Sequence, residues 1–518
     1  MAQRESTIRD NLAKSLHLIE PGLTLIQKEY PLPNPFGSKG YIDILARDSF
    51  GNRVIIELKR TDQAARQAIH EIFKYVALFR ESNRIPENRL RCLIVSTEWR
   101  ELRVPFSELR RSSRFQVEGF LIDVDSSGCV KSATRQEPLE LADNLQVFRS
   151  HAIFLFEKAP SRDAAITPLE AAIMLAGGTG GFIVSQDYIG PNAAVIYRYA
   201  AYLVPAEIPA AIRAELERSF ESDGGNRNEL TKEEWELGIQ EEFMARVTRE
   251  FALHDSFEIG YPEKFLTNLE SEWIVPSIRR VGNVLSEAAA SDAEIITLIK
   301  GMDGQNLIQF RKITSPRLHL DWEATQEMLV NSLRGNSSWL AACHWFSGEV
   351  QRTMPEASVS YSIYNPLNIV VSLFKLVGRN DSRFIPQMEV IATDPAKDRV
   401  VFLLGRLEWD GRTIVHSVDA ALGPEIGGLA EFFFMNSVHV AWEQDDDLLH
   451  RHGLSYGTVN GEAFQGSVSY TPVRCIDTGA QINVEEVELG RNLAEFCSAN
   501  EAYLRELIES VPKISAGL

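Results

Sequence analysis

The sequence predicts a chain of three parts. An N-terminal α/β domain over residues 1–128 has the order α-β-β-β-α-β and a mixed sheet, a mainly helical region occupies 151–350, an α+β region occupies 351–518, and 129–150 reads as a linker. Three observations predict it. Apolar, β-branched runs flank a polar turn from Asp48 to Asn52. Ile69, Ile72, Phe73 and Val76 have the i, i+3, i+4, i+7 spacing of one helix face. From about Ser358 the helical periodicity gives way to strand-like runs such as Arg399 to Trp409.

At 518 residues the chain exceeds one ordinary core, and its 44% hydrophobic and 24% charged residues are those of a soluble globular protein. Its five cysteines (Cys92, Cys129, Cys343, Cys475, Cys497) are scattered with no Cys-x-x-Cys pair, which argues against a zinc ribbon or disulfide framework and for a reducing cytoplasm. No apolar run reaches membrane-spanning length and the polar start is no signal peptide, so a cytoplasmic protein without a membrane partner is expected. The net charge of −19 divides unevenly: residues 1–125 hold 20 Lys and Arg against 17 Asp and Glu, and the remainder holds 33 against 55. Arg100, Arg103, Arg110, Arg111 and Arg114 cluster in the first part, either as phosphate contacts or as a solvated face. The acidic two-thirds suits a homo-oligomeric contact or a regulatory protein partner better than DNA wrapping.

Thr7-x-x-Asp10 starts a helix striped by Ile8, Leu12, Leu16 and Ile19, and Pro21-Gly22 ends it. Leu23 to Tyr30 is a strand, and the prolines at 31, 33 and 35 require an extended loop because they remove ladder donors. Next comes a hairpin, Tyr41 to Arg47 and Arg53 to Arg60. Centred on Phe50, it pairs residues whose numbers sum to 100, so Asp43 stands opposite Glu57 with Cβ atoms about 5 Å apart. Lys59, two residues on, shares their face. Two facing carboxylates repel unless a cation lies between them; otherwise the hairpin simply has a charged, solvated face. Asp62 then caps a helix to about Arg80, where Glu71 and Tyr75 share a face beside the core stripe. Leu90 to Thr97 is a strand, Phe106 to Arg111 a short helix, and Phe115 to Val124 a further strand.

Asp43 followed by Glu57-Leu58-Lys59 resembles the PD-(D/E)XK nuclease motif. The longer context, from Ile19-Glu20-Pro21-Gly22 through Glu29-Tyr30-Pro31 to Asp43 and Glu57-Leu58-Lys59-Arg60, resembles the nuclease domain of the NucS/EndoMS group over about the first 80 residues. The resemblance implies a restriction-endonuclease-like core. It implies Mg²⁺ (or Mn²⁺) on Asp43, Glu57 and the Leu58 carbonyl, with Lys59 positioning or activating the attacking water. It gives Tyr75 a supporting place, whereas Glu71 replaces the group's Gln and was expected to pair with Lys74 or an arginine. Glu5, from the first helix, is a further acidic candidate.

Beyond residue 128 motifs are scarce. Thr167-Pro168-Leu169-Glu170 reads as a helix start, and the glycines at 177, 178, 180 and 181 lack the Gly-Lys-Ser/Thr ending of a P-loop. Thr231-x-x-Glu234 opens a long helix, with others near Ser277 to Ala290, Asp292 to Ile299 and Trp322 to Arg334. Asp410-Gly411 reads as a hairpin turn into a strand from Thr413 to Val418, and Val484 to Val511 as a C-terminal helix broken near Gly490. His439, Glu443, Asp445, Asp446, Asp447, His450 and His452 form either a metal cluster or a solvated turn. The expected function is a metal-dependent endonuclease acting on DNA, with RNA left open, in antiphage defence or restriction. The alternatives are a mismatch-type repair endonuclease, an RNA-cleaving nuclease and a non-catalytic nucleic-acid-binding module.

Overall fold

A computed structural model describes residues 5–35, 37–60, 62–139, 145–282, 284–302, 304–394, 398–423, 429, 432 and 445–510. The chain divides into two compact units, Met1–Asn144 and Leu145–Leu518.

The first unit is a six-stranded sheet in sequential order, β1 (Thr24–Leu32), β2 (Gly40–Arg47), β3 (Arg53–Lys59), β4 (Leu90–Ser96), β5 (Gln116–Val124) and β6 (Val130–Gln136). β3, β4 and β5 run parallel and the other pairs antiparallel, so the sheet is mixed. The parallel crossovers contain helices α2 (Asp62–Asn83) and α3 (Arg103–Ser112), while α1 (Glu5–Leu12) precedes the sheet. Alternation along β3 shows the layering. Ile55 packs with Ile72, Val76 and Phe79 of α2, and Ile56 and Leu58 pack with Ile8 and Leu12 of α1. Both faces of the sheet are thereby covered, which explains the unbroken apolar runs of β3 and β4. The segment expected to be a linker contributes β6: Val130 to Gln136 pairs with β5, and half-buried Ala133 packs on the α1-side core.

The second unit holds two sheets. One has five antiparallel strands in the order β10-β7-β9-β8-β11, formed by β7 (His151–Phe156), β8 (Gly180–Tyr188), β9 (Tyr199–Pro205), β10 (Ser256–Gly260) and β11 (Trp273–Gly282). The middle region is therefore built on a sheet, not mainly helical as expected. Ser277 to Ala290, read as a helix, begins within β11, whose pairing with β8 is a tertiary effect that local pattern does not encode. The helix Ala159–Leu175 starts eight residues before Thr167 and holds Pro168 in its interior. It continues past the lost N–H because Ala165, Leu169, Ala172 and Ile173 are buried in the core. The capping boxes of Thr231 with Glu234 and of Ser291 with Glu294 close the expected helix starts.

The other sheet is a seven-stranded antiparallel meander: β12 (Gln309–Thr314), β13 (Ser358–Tyr364), β14 (Gln387–Asp394), β15 (Arg399–Trp409), β16 (Leu454–Phe464), β17 (Ser467–Asp477) and β18 (Ile482–Glu486). Here too the sequence misleads locally. Asp410 and Gly411 do turn, with Asp410 Oδ1 accepting from the Arg412 and Thr413 amides, but Thr413 to Ser417 forms no strand and β16 takes the place beside β15. The expected C-terminal helix begins as β18 and resumes as Leu493–Ala499 and Glu501–Ser510.

Candidate active site

The β2–β3 turn is built by one side chain. Asp48 Oδ1 accepts from the Phe50 and Asn52 amides at 3.0 and 2.8 Å, and Gly51 adopts φ +85° to close the turn. The strands then pair as Arg47 with Arg53, Ala46 with Val54, Leu45 with Ile55 and Ile44 with Ile56. Every pair sums to 100, so one further step sets Asp43 opposite Glu57. At that step a side chain replaces the ladder: Asp43 Oδ2 accepts the Leu58 amide at 3.0 Å. Arg91 of β4 braces the turn from below, with its guanidinium on Asp48 at 2.9 Å, on Glu20 at 2.7 Å and on Glu118.

At the open end of the hairpin the charged groups converge. Lys59 Nζ lies 2.7 Å from Glu57 Oε1 and 2.6 Å from Glu71 Oε2. Glu71 therefore joins the site through Lys59, not through Lys74 or an arginine as expected. Tyr75, one helical turn on, is buried with its ring over Gly40, where a Cβ would stand 2.8 Å from the ring. Glu5 comes in from α1 close enough to interact with Lys59 and Asp43, and its carboxyl meets the Arg60 backbone. α1 also brings a residue the sequence reading missed: Arg9 Nη1 is 3.7 Å from Asp43 Oδ1 and 2.8 Å from Glu29 Oε1. The signal was present, since Arg9 follows Glu5 by four residues and shares its helix face. Of the arginine cluster, Arg100, Arg103, Arg111 and Arg114 are exposed and Arg110 is half-buried, with Arg111 paired to Glu108.

The electrostatics follow from this packing. Burial, reinforced by the neighbouring Asp43 carboxylate, raises the Glu57 carboxyl well above the usual range despite the Lys59 contact. Burial also raises Asp43, against the Leu58 amide and Lys59, which favour its charge. Burial opposes charge on Lys59, but Glu57 and Glu71 outweigh it and hold the ammonium protonated. Tyr75 is pushed up to about 12 by burial and the nearby carboxylates, so it keeps its proton. Glu57 Oε2 is buried with no hydrogen-bond donor. Among the described residues no three His, Cys, Asp or Glu side chains surround one point. An all-oxygen set of two carboxylates with one orphaned oxygen nevertheless fits a hard divalent cation, which takes one or two carboxylates and completes its shell with water and phosphate.

The other candidate clusters have structural occupations. Asp445 accepts from the Ile369 amide and the Tyr456 hydroxyl, and His452 contacts the Leu448 carbonyl and the Tyr503 hydroxyl; His439 and Glu443 lie outside the described residues. Gly180 serves close strand approach, since a Cβ there would meet the Val281 carbonyl oxygen of β11 at 2.1 Å. No helix among the described residues is long and apolar enough to cross a membrane.

Residues 4–101, which include the whole site, match the model of the endonuclease NucS C-terminal domain. Over 78 residues the chain is 35% identical to endonuclease NucS of Sulfurisphaera tokodaii and 32% identical to endonuclease NucS of Sulfolobus acidocaldarius. Each match covers 15% of this chain and 29% of the relative, so the chain spans under a third of the length of these proteins. A solved EndoMS–double-stranded DNA complex aligns at 22% identity and a TM-score of 0.18, over 23% of this chain and 46% of that one. The likeness to NucS is thus confined to the segment that carries Asp43, Glu57 and Lys59.

Proposed function

We propose that residues 1–144 form a Mg²⁺- or Mn²⁺-dependent endonuclease unit of the PD-(D/E)XK type, with a restriction-endonuclease-like core, that hydrolyses phosphodiester bonds in DNA. The observation that carries this reading is the meeting of Asp43, Glu57 and Lys59 at one end of the hairpin, with Glu57 Oε2 buried and lacking a donor. Asp43 and Glu57 hold the cation, with the Leu58 carbonyl as a further ligand. The cation polarises the phosphate and lowers the pKa of its water. Lys59, kept cationic by Glu57 and Glu71, supplies charge and hydrogen bonds to the phosphate and orients the water, and does not abstract its proton. Tyr75, protonated, and Glu71 fix the position of that ammonium, Glu5 adds negative charge beside it, and Arg9 offers a second cation for phosphate.

The setting we favour is antiphage defence or restriction, because the match to NucS ends at residue 101 and leaves most of the chain outside it. The names of the relatives favour a repair reading. Cleavage of matched and mismatched duplexes in parallel distinguishes the two, since a mismatch-repair enzyme prefers the second. Single-stranded DNA and RNA in the same assay set the substrate class. The full chain with Mn²⁺ or Mg²⁺ is expected to cut DNA, and Asp43→Asn, Glu57→Gln and Lys59→Ala are expected to fold and lose at least about a hundredfold in rate. Variants that cut like the wild type would sink the assignment.

A further inference from the structure

The strands β12 to β17 bury one face and leave the other without a partner. On the buried face Val390, Leu403 and Val473 pack under helices in the largest core of the chain. The opposite face follows from the register: Ile313, Ser360, Ile391, Phe402, Gly461 and Tyr470 stand directly across from one another in a single row spanning six strands. Ile313 is 71% exposed, Tyr470 64%, and Val468 in the adjoining row 65%. Leu404 and Val459 extend the apolar surface on the other side of the row. None of these residues belongs to a buried core cluster. Phe402 lies flat on the sheet because residue 461 is glycine: a Cβ there would stand 2.2 Å from the Phe402 ring. The result is a broad, level, apolar surface, larger in kind than the scattered apolar side chains of an ordinary exterior.

The charges around it say what covers it. The residues after 125 carry a net charge of −22, as 33 Lys and Arg against 55 Asp and Glu, yet this face is balanced. Arg406 is paired to Glu408 at 2.9 Å, Arg474 stands opposite Glu485 across β17 and β18, and Arg311 and Glu389 occupy one row two strands apart. A cationic partner would be drawn to the acidic surface elsewhere, and an acidic partner would be repelled on approach. A neutral apolar face bearing one free-standing row of opposite signs is complementary to itself: turned by a two-fold axis, Arg311 of each copy meets Glu389 of the other.

We propose that this sheet face is the interface of a homodimer, in which two copies pack sheet against sheet about 10 Å apart across a two-fold axis. The proposal is independent of the nuclease reading. Sedimentation equilibrium of the full chain over roughly 0.1–100 μM is expected to give the mass of two chains. Val468→Glu with Tyr470→Glu, both at exposed positions whose replacement spares the core, is expected to raise the dimer Kd by at least about tenfold. Arg311→Glu and Glu389→Arg are each expected to weaken the dimer, and the two together in one chain to restore it. A monomer throughout that concentration range, a mass that keeps growing beyond two, a dimer indifferent to Val468→Glu/Tyr470→Glu, or a double reversal no better than its single components would overturn the proposal. Circular dichroism of each variant separates loss of contact from loss of fold.

Discussion

Glu71 and Glu57 share the Lys59 ammonium at 2.6 and 2.7 Å, so three side chains from β3 and α2 act as one unit. Their roles separate on substitution. Glu71→Gln keeps a hydrogen-bonding group beside Lys59 and leaves both proposed cation ligands untouched. It is expected to lower kcat by about tenfold while sparing the cation's effect on melting. Glu57→Gln is expected to abolish both. The effect on melting is itself predicted. A cation that binds only the folded chain stabilises it by about 2.7 kcal/mol at a hundred times its Kd. Its dependence on pH follows from Glu57. A carboxyl raised by burial gives stability that is present below its unfolded pKa and lost as pH rises through the folded value, because the ionised form is the costly one. The cation offsets that cost and competes with the proton. The Mn²⁺-induced rise in Tm should therefore grow from mildly acidic to neutral pH in the wild type and vanish in Glu57→Gln; a shift that is the same at every pH would exclude Glu57 as a ligand.

At the scale of elements, the hairpin was legible because its information is local. Asp48 caps its own turn, Gly51 supplies the positive φ, and alternation fixes the rest, so the pairing rule drawn from the sequence holds at each of the four paired positions. Glu71 and Tyr75 were legible as residues sharing a helix face, but the partner of Glu71 depended on how α2 lies against β3, which no local pattern states. Arg91 was invisible for the same reason. Its partners Glu20, Asp48 and Glu118 come from 71, 43 and 27 residues away. Arg91, Asp48 and Glu118 are buried, so removing the cation leaves carboxylates in the interior without their counter-charge. Arg91→Met is expected to cost about 3–5 kcal/mol in urea unfolding. It should also loosen the turn that holds Asp43 against Leu58. A loss below about 1 kcal/mol would mean that solvent already screens the cluster.

For the whole molecule, composition foretold the division of charge but not the architecture that carries it. The β7–β11 sheet was missed because its strands are widely separated in sequence and pair in the order β10-β7-β9-β8-β11, while the helices between them dominate local periodicity. What remains readable is electrostatic. Met1–Asn144 holds 22 Lys and Arg against 20 Asp and Glu, and Leu145–Leu518 holds 31 against 52. Both cores that flank the first sheet are drawn from residues before 144. A fragment of residues 1–144 should accordingly fold on its own, with a cooperative thermal transition. DNA attracts cations over roughly 10 Å at 0.1 M salt, and the acidic unit opposes that attraction in the full chain. The fragment should bind a DNA duplex more tightly than the full chain at low salt, and the two affinities should converge as salt screens the acidic charge. Fluorescence anisotropy across a salt series measures this directly. A full chain that binds more tightly than its fragment at low salt would show that the acidic unit contacts DNA itself, and would reverse the division of labour argued from the charges.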